Sequence, residues 1–352
     1  FRSVNPQNTS ATDGIPANVW YFNRRIGEMT EGGLAFRTGG VAMSGLLTMV
    51  DPSNPGQRVA AQFAPDGSLV PYNPGQFVAA SQFSGGEGLN LAPLTSMQSP
   101  VTRHNATLFS TFEITPRVRL DTEVFYNRTE ATEDFNQPIY NGGLFGGNSG
   151  ALQFSTANPF LSAQARDVIL SQTTALPADP NNAGERLFYL HRGSTDLVEP
   201  NSLTESDTYR LVANLNGDFD AVGRTFFWNV AANYGRNEGF FQQDGIQQAN
   251  FLEAINVVRA SDGTIQCANE VARAAGCAPL NLFGKGARSQ AALDYIGETF
   301  RQDYTIQQTT LEANFGGDIV ELPAGPLSFN VGYEYRKEES EFLPNDASRL
   351  GV

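Results

Sequence analysis

The most regular pattern in the chain is a β-hairpin signature that occurs three times. Each copy has two long segments of alternating apolar and polar residues joined by a short turn, at about 101–127, 207–236 and 303–339. Successive side chains of a strand point to opposite faces, so each segment predicts a strand with one apolar and one polar face. The chain is therefore predicted to hold six long strands, and much longer polar stretches separate the three hairpins.

The second hairpin shows the alternation most clearly. In its second strand, apolar residues alternate with small or polar ones: Phe226, Trp228, Val230, Ala232 and Tyr234 oppose Asn229, Ala231, Asn233, Gly235 and Asn237. Alternation alone does not decide which face is covered. A soluble sandwich buries its apolar face, whereas a membrane barrel turns that face to lipid and lines its lumen with the polar one.

Three features favour the barrel over the soluble sandwich. The predicted strands have about 12–14 residues, more than the ~5–6 of globular sheets and enough for the ~9–11 that cross a membrane. Aromatic residues lie near strand ends, where membrane interfaces place them, namely Phe226, Trp228, Tyr234, Tyr333 and Tyr335. The connections are also strongly one-sided, with short turns at one end and long segments at the other.

The long segments 1–100, 128–205 and 239–302 carry structure of their own. Short strands are predicted at 57–63 and 68–72 around the turn Asp66-Gly67. A Gly/Asn-rich run follows at 141–148. Short helices are predicted near 159–172, 249–258, 267–275 and 289–296. Because long connections with their own helices are often functional, we expect folded lids or binding surfaces here.

Composition narrows the class further. The 352 residues include 35 Gly and 19 Pro, and the chain carries a net charge of −14 with Lys285 and Lys337 as its only lysines. No apolar run approaches the ~18 residues of a transmembrane helix, which does not exclude alternating barrel strands. The acidic balance argues against a nucleic-acid partner, because no basic patch would neutralise phosphates. It keeps exposed loops soluble or, alternatively, attracts cationic substrates.

The two cysteines, Cys267 and Cys277, lie in a polar segment with small residues between them. This spacing suggests a local disulfide in an oxidising compartment, and two free thiols remain the alternative. A metal site is not expected, because the spacing is not that of a zinc motif and neither His104 nor His191 is near in sequence.

No catalytic motif stands out, so we expect neither an enzyme nor a cofactor. The Gly-rich runs lack the strand-to-helix setting of a phosphate loop. Asp121 and Glu123 are neighbours on one strand face, but Arg119 beside them indicates an ion-pair network rather than a pair of catalytic carboxylates.

Three segments resemble the barrels of TonB-dependent outer-membrane receptors. They are Gly-Arg-Thr-Phe-Phe-Trp-Asn-Val-Ala-Ala-Asn-Tyr-Gly-Arg at 223–236, Cys-Ala-Pro-Leu-Asn-Leu-Phe-Gly at 277–284, and Leu-Pro-Ala-Gly-Pro-Leu-Ser-Phe-Asn-Val-Gly-Tyr-Glu-Tyr-Arg at 322–336. The last is the most specific, because a periplasmic turn of the Leu-Pro-Ala-Gly type often leads into a strand ending in Glu-Tyr-Arg in this family. The resemblance covers roughly 100–340 and indicates no particular substrate.

The resemblance implies a bacterial outer-membrane barrel of about 22 strands closed by an N-terminal plug. Such receptors take up ferric siderophores, other metal chelates, vitamins or oligosaccharides, with energy supplied through the TonB complex. We find no plug domain and no TonB box, so we expect an internal piece of a longer protein. Its partners would be membrane lipid, the missing plug and the remaining strands.

The expected fold is therefore all-β, an antiparallel up-and-down meander that forms part of a transmembrane β-barrel. Residues 1–100 are expected to be an extracellular loop region with short strands. Residues 101–341 would form the partial wall, with loops 128–205 and 239–302, and 342–352 would begin the next loop. The turns at 115–116, about 217–224 and about 320–326 would face the periplasm.

In a transporter of this kind, extracellular loops and polar residues facing the lumen bind the substrate. The lumen-facing candidates are Arg119, Asp121, Glu123, Asn229, Asn233, Glu334 and Arg336. Two other classes remain open, namely a passive porin or adhesin-type barrel and a soluble, secreted β-rich binding protein.

Overall fold

The computed structural model describes residues 2–4, 12, 14, 17–40, 42–79, 82–94, 96–134, 139–140, 152–198 and 201–350. The protein is mostly antiparallel β-sheet, with 56% strand and 13% helix, which confirms the β class predicted from the alternation. The Gly/Asn-rich run at 141–148 lies outside the described residues. No helix in the described part of the chain has the length and apolar character needed to cross a membrane.

Twenty strands and five helices make up the described part. The strands are β1 Arg2–Val4, β2 Asn18–Trp20, β3 Arg24–Ile26, β4 Leu34–Phe36, β5 Thr48–Asp51, β6 Asn54–Phe63, β7 Leu69–Pro71, β8 Gln76–Ala79, β9 Gln82–Ser84, β10 Val101–Thr115, β11 Val118–Asp134, β12 Ile139–Tyr140, β13 Leu152–Ser155, β14 Leu187–Gly193, β15 Asn201–Ala221, β16 Arg224–Ile246, β17 Val257–Arg259, β18 Ile265–Cys267, β19 Gly297–Leu322 and β20 Gly325–Pro344. The helices are α1 Ala163–Leu170, α2 Gln248–Ile255, α3 Glu270–Ala274, α4 Gln290–Ile296 and α5 Asp346–Leu350.

The six long strands form one antiparallel sheet in which spatial order follows chain order, β10-β11-β15-β16-β19-β20. Each of the three hairpins closes with a two-residue turn, at 116–117, 222–223 and 323–324. The sheet is open, because within the described residues β10 and β20 are edge strands that do not pair with each other. All three turns lie at one end of the sheet, and the long segments leave from the other.

The strands extend further towards the long segments than the alternation predicted. β11 continues to Asp134, β15 begins at Asn201, β16 continues to Ile246 and β19 begins at Gly297. The predicted limits of the loops at 128–205 and 239–302 are therefore displaced. Backbone hydrogen bonds continue the ladder through residues whose apolar and polar side chains no longer alternate, so the alternation ends before the strand does.

The turn between β15 and β16 has an unusual sequence for its geometry. Val222 and Gly223 both have positive φ, at 53° and 73°. A two-residue hairpin turn with positive φ at both positions favours Asn-Gly or Gly-Gly, because a β-branched side chain is crowded in this conformation.

The long segments form a second folded unit, which we call the cap and define as the described residues of 17–94, 139–198 and 247–296. Its seven-stranded sheet follows the order β12-β14-β4-β6-β5, with β13 also paired to β14 and β7 to β6. A three-stranded sheet, β3-β9-β8, lies beside it in the chain's first segment. Residues 1–100 are therefore not a separate loop region, since β4 pairs with β14 of the next segment.

One hydrophobic core joins all three segments of the cap. The Phe283 ring packs near Phe63 and Phe154, with ring centroids 5.1 Å apart in each case, and near Phe188 at 6.1 Å. The same core buries Ile169 on the inner face of α1. The cap is thus one packed unit rather than three independent loops, because its segments share buried side chains that none of them could cover alone.

The predicted helices occur as shorter elements. Ser162 caps α1 and Ser289 caps α4, each accepting a hydrogen bond from a backbone N–H in the first turn. The predicted helix at 267–275 is only α3, because Cys267 ends strand β18. The structure joins Cys267 to Cys277 in a disulfide, which ties the β17–β18 hairpin to the end of α3.

Candidate functional site

The six-stranded sheet has two chemically distinct faces, and its register decides which residues share each face. Strand pairing aligns side chains in rows that run across all six strands. One row on the first face consists of Phe112, Leu120, Leu215, Val230, Ala313 and Tyr333. We call this side the apolar face and the opposite side the polar face.

The apolar face is exposed although it consists of large hydrophobic side chains. Phe112 is 63% exposed, Val230 51% and Tyr333 69%. Contiguous exposed apolar surface of this extent marks a contact with another apolar phase or partner. The apolar face is therefore the first functional feature of the sheet.

Aromatic side chains bound the apolar face at both ends. At the end towards the cap, the uninterrupted apolar stretch of four strands ends in a tyrosine, and a charged residue follows on the same face: the four are Tyr126, Tyr209, Tyr234 and Tyr335. At the turn end, Phe226 packs against Phe219 and Phe315 with ring centroids 5.8 Å apart. Tyr234, Tyr335 and Phe226 were predicted to lie near strand ends and are found at the limits of the apolar face. Tyr333 was predicted there too, but it lies two residues further inside this face than Tyr335.

The seven lumen candidates all lie on the polar face, in three successive rows. Arg119 and Asn229 share the row nearest the turns, Asp121 and Glu334 the next, and Glu123, Asn233 and Arg336 the third. The strand register therefore places the seven candidates, which the alternation assigned to the polar side, in one patch of the sheet.

Amide side chains of the first two of these rows form a hydrogen-bonded ladder. Asn229 donates to Asn214 at 2.8 Å and accepts from Asn314 at 2.8 Å. Asn216 donates to the Asp121 carboxylate at 3.0 Å, and Arg119 pairs with the same carboxylate oxygen at 3.0 Å. The ladder holds both donors and acceptors on a wall that is accessible to solvent.

The other candidates form two smaller groups. Arg210 lies 3.5 Å from Glu123 and donates to the Asn233 side-chain oxygen at 3.0 Å. Glu334 and Arg336 pair along β20 at 2.9 Å. Arg119 therefore pairs with Asp121, and it is Arg210, which sequence reasoning did not select, that neutralises Glu123.

Asn214, Asn216 and Asn314 are not among the seven lumen candidates predicted from the sequence. Their alternation placed them on the polar side, but the cross-strand neighbours that make them a ladder follow from the register. Chain position alone does not give that register.

Several cavities lie in or beside the cap, and two of them are described here by their charged side chains. One, of about 360 Å³, is lined by Arg25, Glu31, Glu87 and Lys285 among others. Burial raises the pKa of Glu31, but hydrogen bonds from Lys285 and Thr195 outweigh this effect and leave its pKa below the ordinary value. The Glu31 carboxylate therefore remains charged in the cavity lining, 2.8 Å from the Nζ atom of Lys285.

The second cavity, of about 660 Å³, lies where the cap meets the ends of β16 and β19. Its lining includes Asp244, Asp294 and Glu298 against a single Arg288. Among the described residues, no group of three or more His, Cys, Asp or Glu side chains is placed to hold a metal ion.

Comparison with known proteins leaves the family of the chain unassigned. No family model matches the sequence and no curated protein matches it.

Proposed function

We propose that this chain forms part of the wall and the outer cap of a TonB-dependent outer-membrane receptor, which takes up a scarce substrate with energy coupling. The wall is a segment of a larger transmembrane β-barrel in a bacterial outer membrane. Its apolar face contacts lipid and its polar face lines the interior. The edge strands β10 and β20 pair with further strands of the full-length protein.

The observation that carries the proposal is the exposed apolar face with aromatic side chains at both limits. From Tyr209 to Phe219, β15 extends ~33 Å at ~3.3 Å per residue, which corresponds to ~25 Å of membrane thickness for a strand inclined by ~40°. This is the height of the apolar band of outer-membrane barrels, which aromatic girdles flank on both sides.

The limit of the apolar face towards the cap also supports strands that are inclined in a membrane. Tyr126 and Tyr209 lie in one row, which reaches β20 at Glu339, yet the apolar face of β20 ends at Tyr335. From β11 to β20, a distance of ~19 Å across the sheet, the limit of the apolar face shifts by ~13 Å along the strands. This limit is therefore inclined by ~35° to the rows of paired residues. Strands of membrane barrels incline by ~35–45°, so a flat membrane surface would cut this sheet along such a line.

The polar face supports a role in solute passage. Arg119, Asp121, Glu123, Asn229, Asn233, Glu334 and Arg336 would border the interior. The amide ladder of Asn216, Asn229 and Asn314 offers donors and acceptors to a polar ligand or to a plug. The cap cavities lie at the outer end of the wall, where a substrate would first be captured.

Energy coupling rests on the resemblance of the three sequence segments and not on the faces of the sheet. The segment at 322–336 forms the last hairpin turn and the first part of β20, which continues beyond Arg336 to Pro344. Pro323 and Ala324 form the two-residue turn, and Glu334 and Arg336 face the polar side. The substrate class remains a ferric siderophore, another metal chelate, a vitamin or an oligosaccharide.

Membrane fractionation of the full-length protein tests the proposal. We expect it in the outer-membrane fraction, with gel migration that changes on heating, and we expect uptake to stop when TonB is deleted. A freely soluble protein would refute the barrel, and outer-membrane location with TonB-independent passage would favour a passive pore.

A further inference from the structure

The cavity of about 360 Å³ that contains the Glu31–Lys285 pair adjoins another cavity of about 360 Å³. Three residues line both, namely Arg25, Leu89 and Asn90. We call the first the charged cavity and its neighbour the apolar cavity. The rest of the apolar cavity is lined mostly by aliphatic side chains, including Ile26, Leu91, Ala92 and Met97. Each volume lies within the ~300–1,000 Å³ of small-molecule sites, so the two form one site with two chemically different halves.

Leu89 lies between the two cavities and is held from both sides. Backbone hydrogen bonds join Leu89 to Ile26 of β3 in both directions, at 2.9 and 3.1 Å. On the other side, a Cβ on Gly193 of β14 would lie 2.5 Å from a methyl carbon of Leu89. The side chain is 3% exposed. The wall that the cavities share is therefore fixed before any ligand binds, which lowers the entropy cost of binding.

The charged cavity is built from the first and third segments of the cap. The backbone N–H of Gly284 donates to a carbonyl of the first segment at 3.0 Å, and the next residue, Lys285, lies 2.8 Å from Glu31. Arg25 and Glu87 complete a lining of two acidic and two basic side chains. A ligand with a single charge would be attracted by one pair and repelled by the other. A ligand that carries both charges complements all four side chains.

The acidic groups of this cavity use only part of their hydrogen-bonding capacity. Lys285 and Thr195 both donate to Oε1 of Glu31, and within the described residues no group donates to Oε2. Glu87 accepts from the backbone N–H of Asn73 through its own Oε2, at 2.7 Å. Two carboxylate oxygens offer about four acceptor positions, so both side chains can accept from a ligand ammonium without losing these bonds.

We propose that the two cavities bind a short peptide with free termini and a hydrophobic residue at its carboxyl end. Arg25, which lines both cavities, binds the terminal carboxylate, because a guanidinium matches a carboxylate with two parallel hydrogen bonds. The last side chain of the peptide enters the apolar cavity, where burial of its surface favours binding. The terminal ammonium lies in the charged cavity and donates to Glu31 and Glu87.

The charges of the apolar cavity decide the orientation of the peptide. Its charged lining residues, Arg24 and Arg25, are both basic. A hydrophobic residue at the amino end would bring its ammonium towards these two guanidiniums, which repel it. At the carboxyl end, the same side chain brings a carboxylate to them. The inference goes beyond the proposed function, because binding at the cap requires neither lipid nor energy coupling.

Calorimetric titration of the wild-type full-length protein in mild detergent tests the ligand chemistry. The probe is the tripeptide Ala-Ala-Phe with free termini. We expect acetylation of its amino end, amidation of its carboxyl end, and replacement of Phe by Ala each to weaken binding at least about tenfold. The reversed peptide Phe-Ala-Ala should also bind at least about tenfold more weakly. An undetectable affinity for the probe, or equal affinity for the blocked and reversed peptides, would overturn the proposal.

Variants assign each terminus to its side chains. Arg25→Gln should weaken binding of the free probe about tenfold and leave binding of the amidated probe unchanged, because the amide has no carboxylate to lose. The double variant Glu31→Gln, Glu87→Gln should show the same selectivity for the acetylated probe. The matched control Arg37→Gln removes an arginine of the first segment that lines neither cavity, and it should bind as the wild type does. An equal loss for the free and the blocked probes would contradict these contacts.

The result is independent of membrane location. A protein of the outer membrane that does not bind the probe would overturn the peptide site and leave the proposed function standing. A freely soluble protein that binds the probe with the expected selectivity would refute the barrel and support the peptide site.

Discussion

His191 shows how the interior of the cap controls a single residue. Its ring stacks on Phe36 with centroids 4.0 Å apart and is fully buried. Burial lowers the pKa of His191 to about 4, although the backbone of Glu28 acts in the opposite direction. Because this pKa lies below the ~6.5 of an unfolded chain, the unfolded state takes up the proton first. Stability of the cap is therefore present above pH ~6.5 and is lost as the pH falls towards 4.

We expect the cap to lose about 2 kcal/mol between pH 7 and pH 5 through this residue. Thermal unfolding of the wild type and of His191→Gln at both pH values measures the effect, because the variant cannot titrate at this position. The wild type should lose more stability than the variant. An equal loss in the two proteins would show that His191 does not contribute.

Phe283 has the most central position in the aromatic cluster of the cap. Gly284, which follows it, gives a structural reason for the end of the segment at 277–284. Gly284 has a φ of 101°, and a Cβ there would lie 2.3 Å from the Ala64 carbonyl oxygen. The backbone must therefore pass close to the first segment for Phe283 to enter the core. A motif noted only as a resemblance thus has a packing reason.

Phe283→Ala should destabilise the cap by about 3–5 kcal/mol, because it removes a ring that contacts all three segments. Val271→Ala is the matched control, since Val271 belongs to the same segment but is 77% exposed. Limited proteolysis of the cap should accelerate for the first variant only. Similar protease resistance of both variants would argue against a shared core.

At the scale of the element, the long strands could be predicted and their ends could not. Alternation identifies β15 and β16 where one face is apolar, but Asn201 and Ile246 lie in stretches with mixed faces. The seven candidate residues were placed on the correct strands for the same reason. Their partners, such as Arg210 for Glu123, depend on the register of neighbouring strands, which the sequence does not state.

The turn at Val222-Gly223 gives a prediction at this scale. Val222→Asn should stabilise the β15–β16 hairpin by about 1 kcal/mol, because Asn adopts positive φ more readily than a β-branched residue. Val222→Ile keeps the branching and should bring no gain. Thermal unfolding of the wild type and the two variants measures the change in stability. A loss of stability in Val222→Asn would contradict the assigned turn.

At the scale of the whole molecule, the sequence predicts long strands separated by long loops, and the structure has a six-stranded sheet and a packed cap. The prediction and the structure differ because Phe63, Leu190 and Phe283 are far apart in the chain, and no local pattern reveals that they share one core. Short strands and helices inside the loops were the only signal. The cap lies at the end of the six-stranded sheet from which the long segments leave, and residues of both line the cavity of about 660 Å³.

The central claim is that the apolar face contacts lipid, and a pair of adjacent substitutions tests it most directly. Val230 lies on the apolar face, whereas Ala231 lies on the polar face opposite Glu312 of β19. In the full-length protein, assembly into the outer membrane is measured for Val230→Arg and Ala231→Arg. We predict that Val230→Arg impairs assembly, because a charge in the lipid costs ~2–4 kcal/mol, and that Ala231→Arg is tolerated beside Glu312. Equal tolerance of both, or a defect confined to Ala231→Arg, would contradict the assignment of the faces.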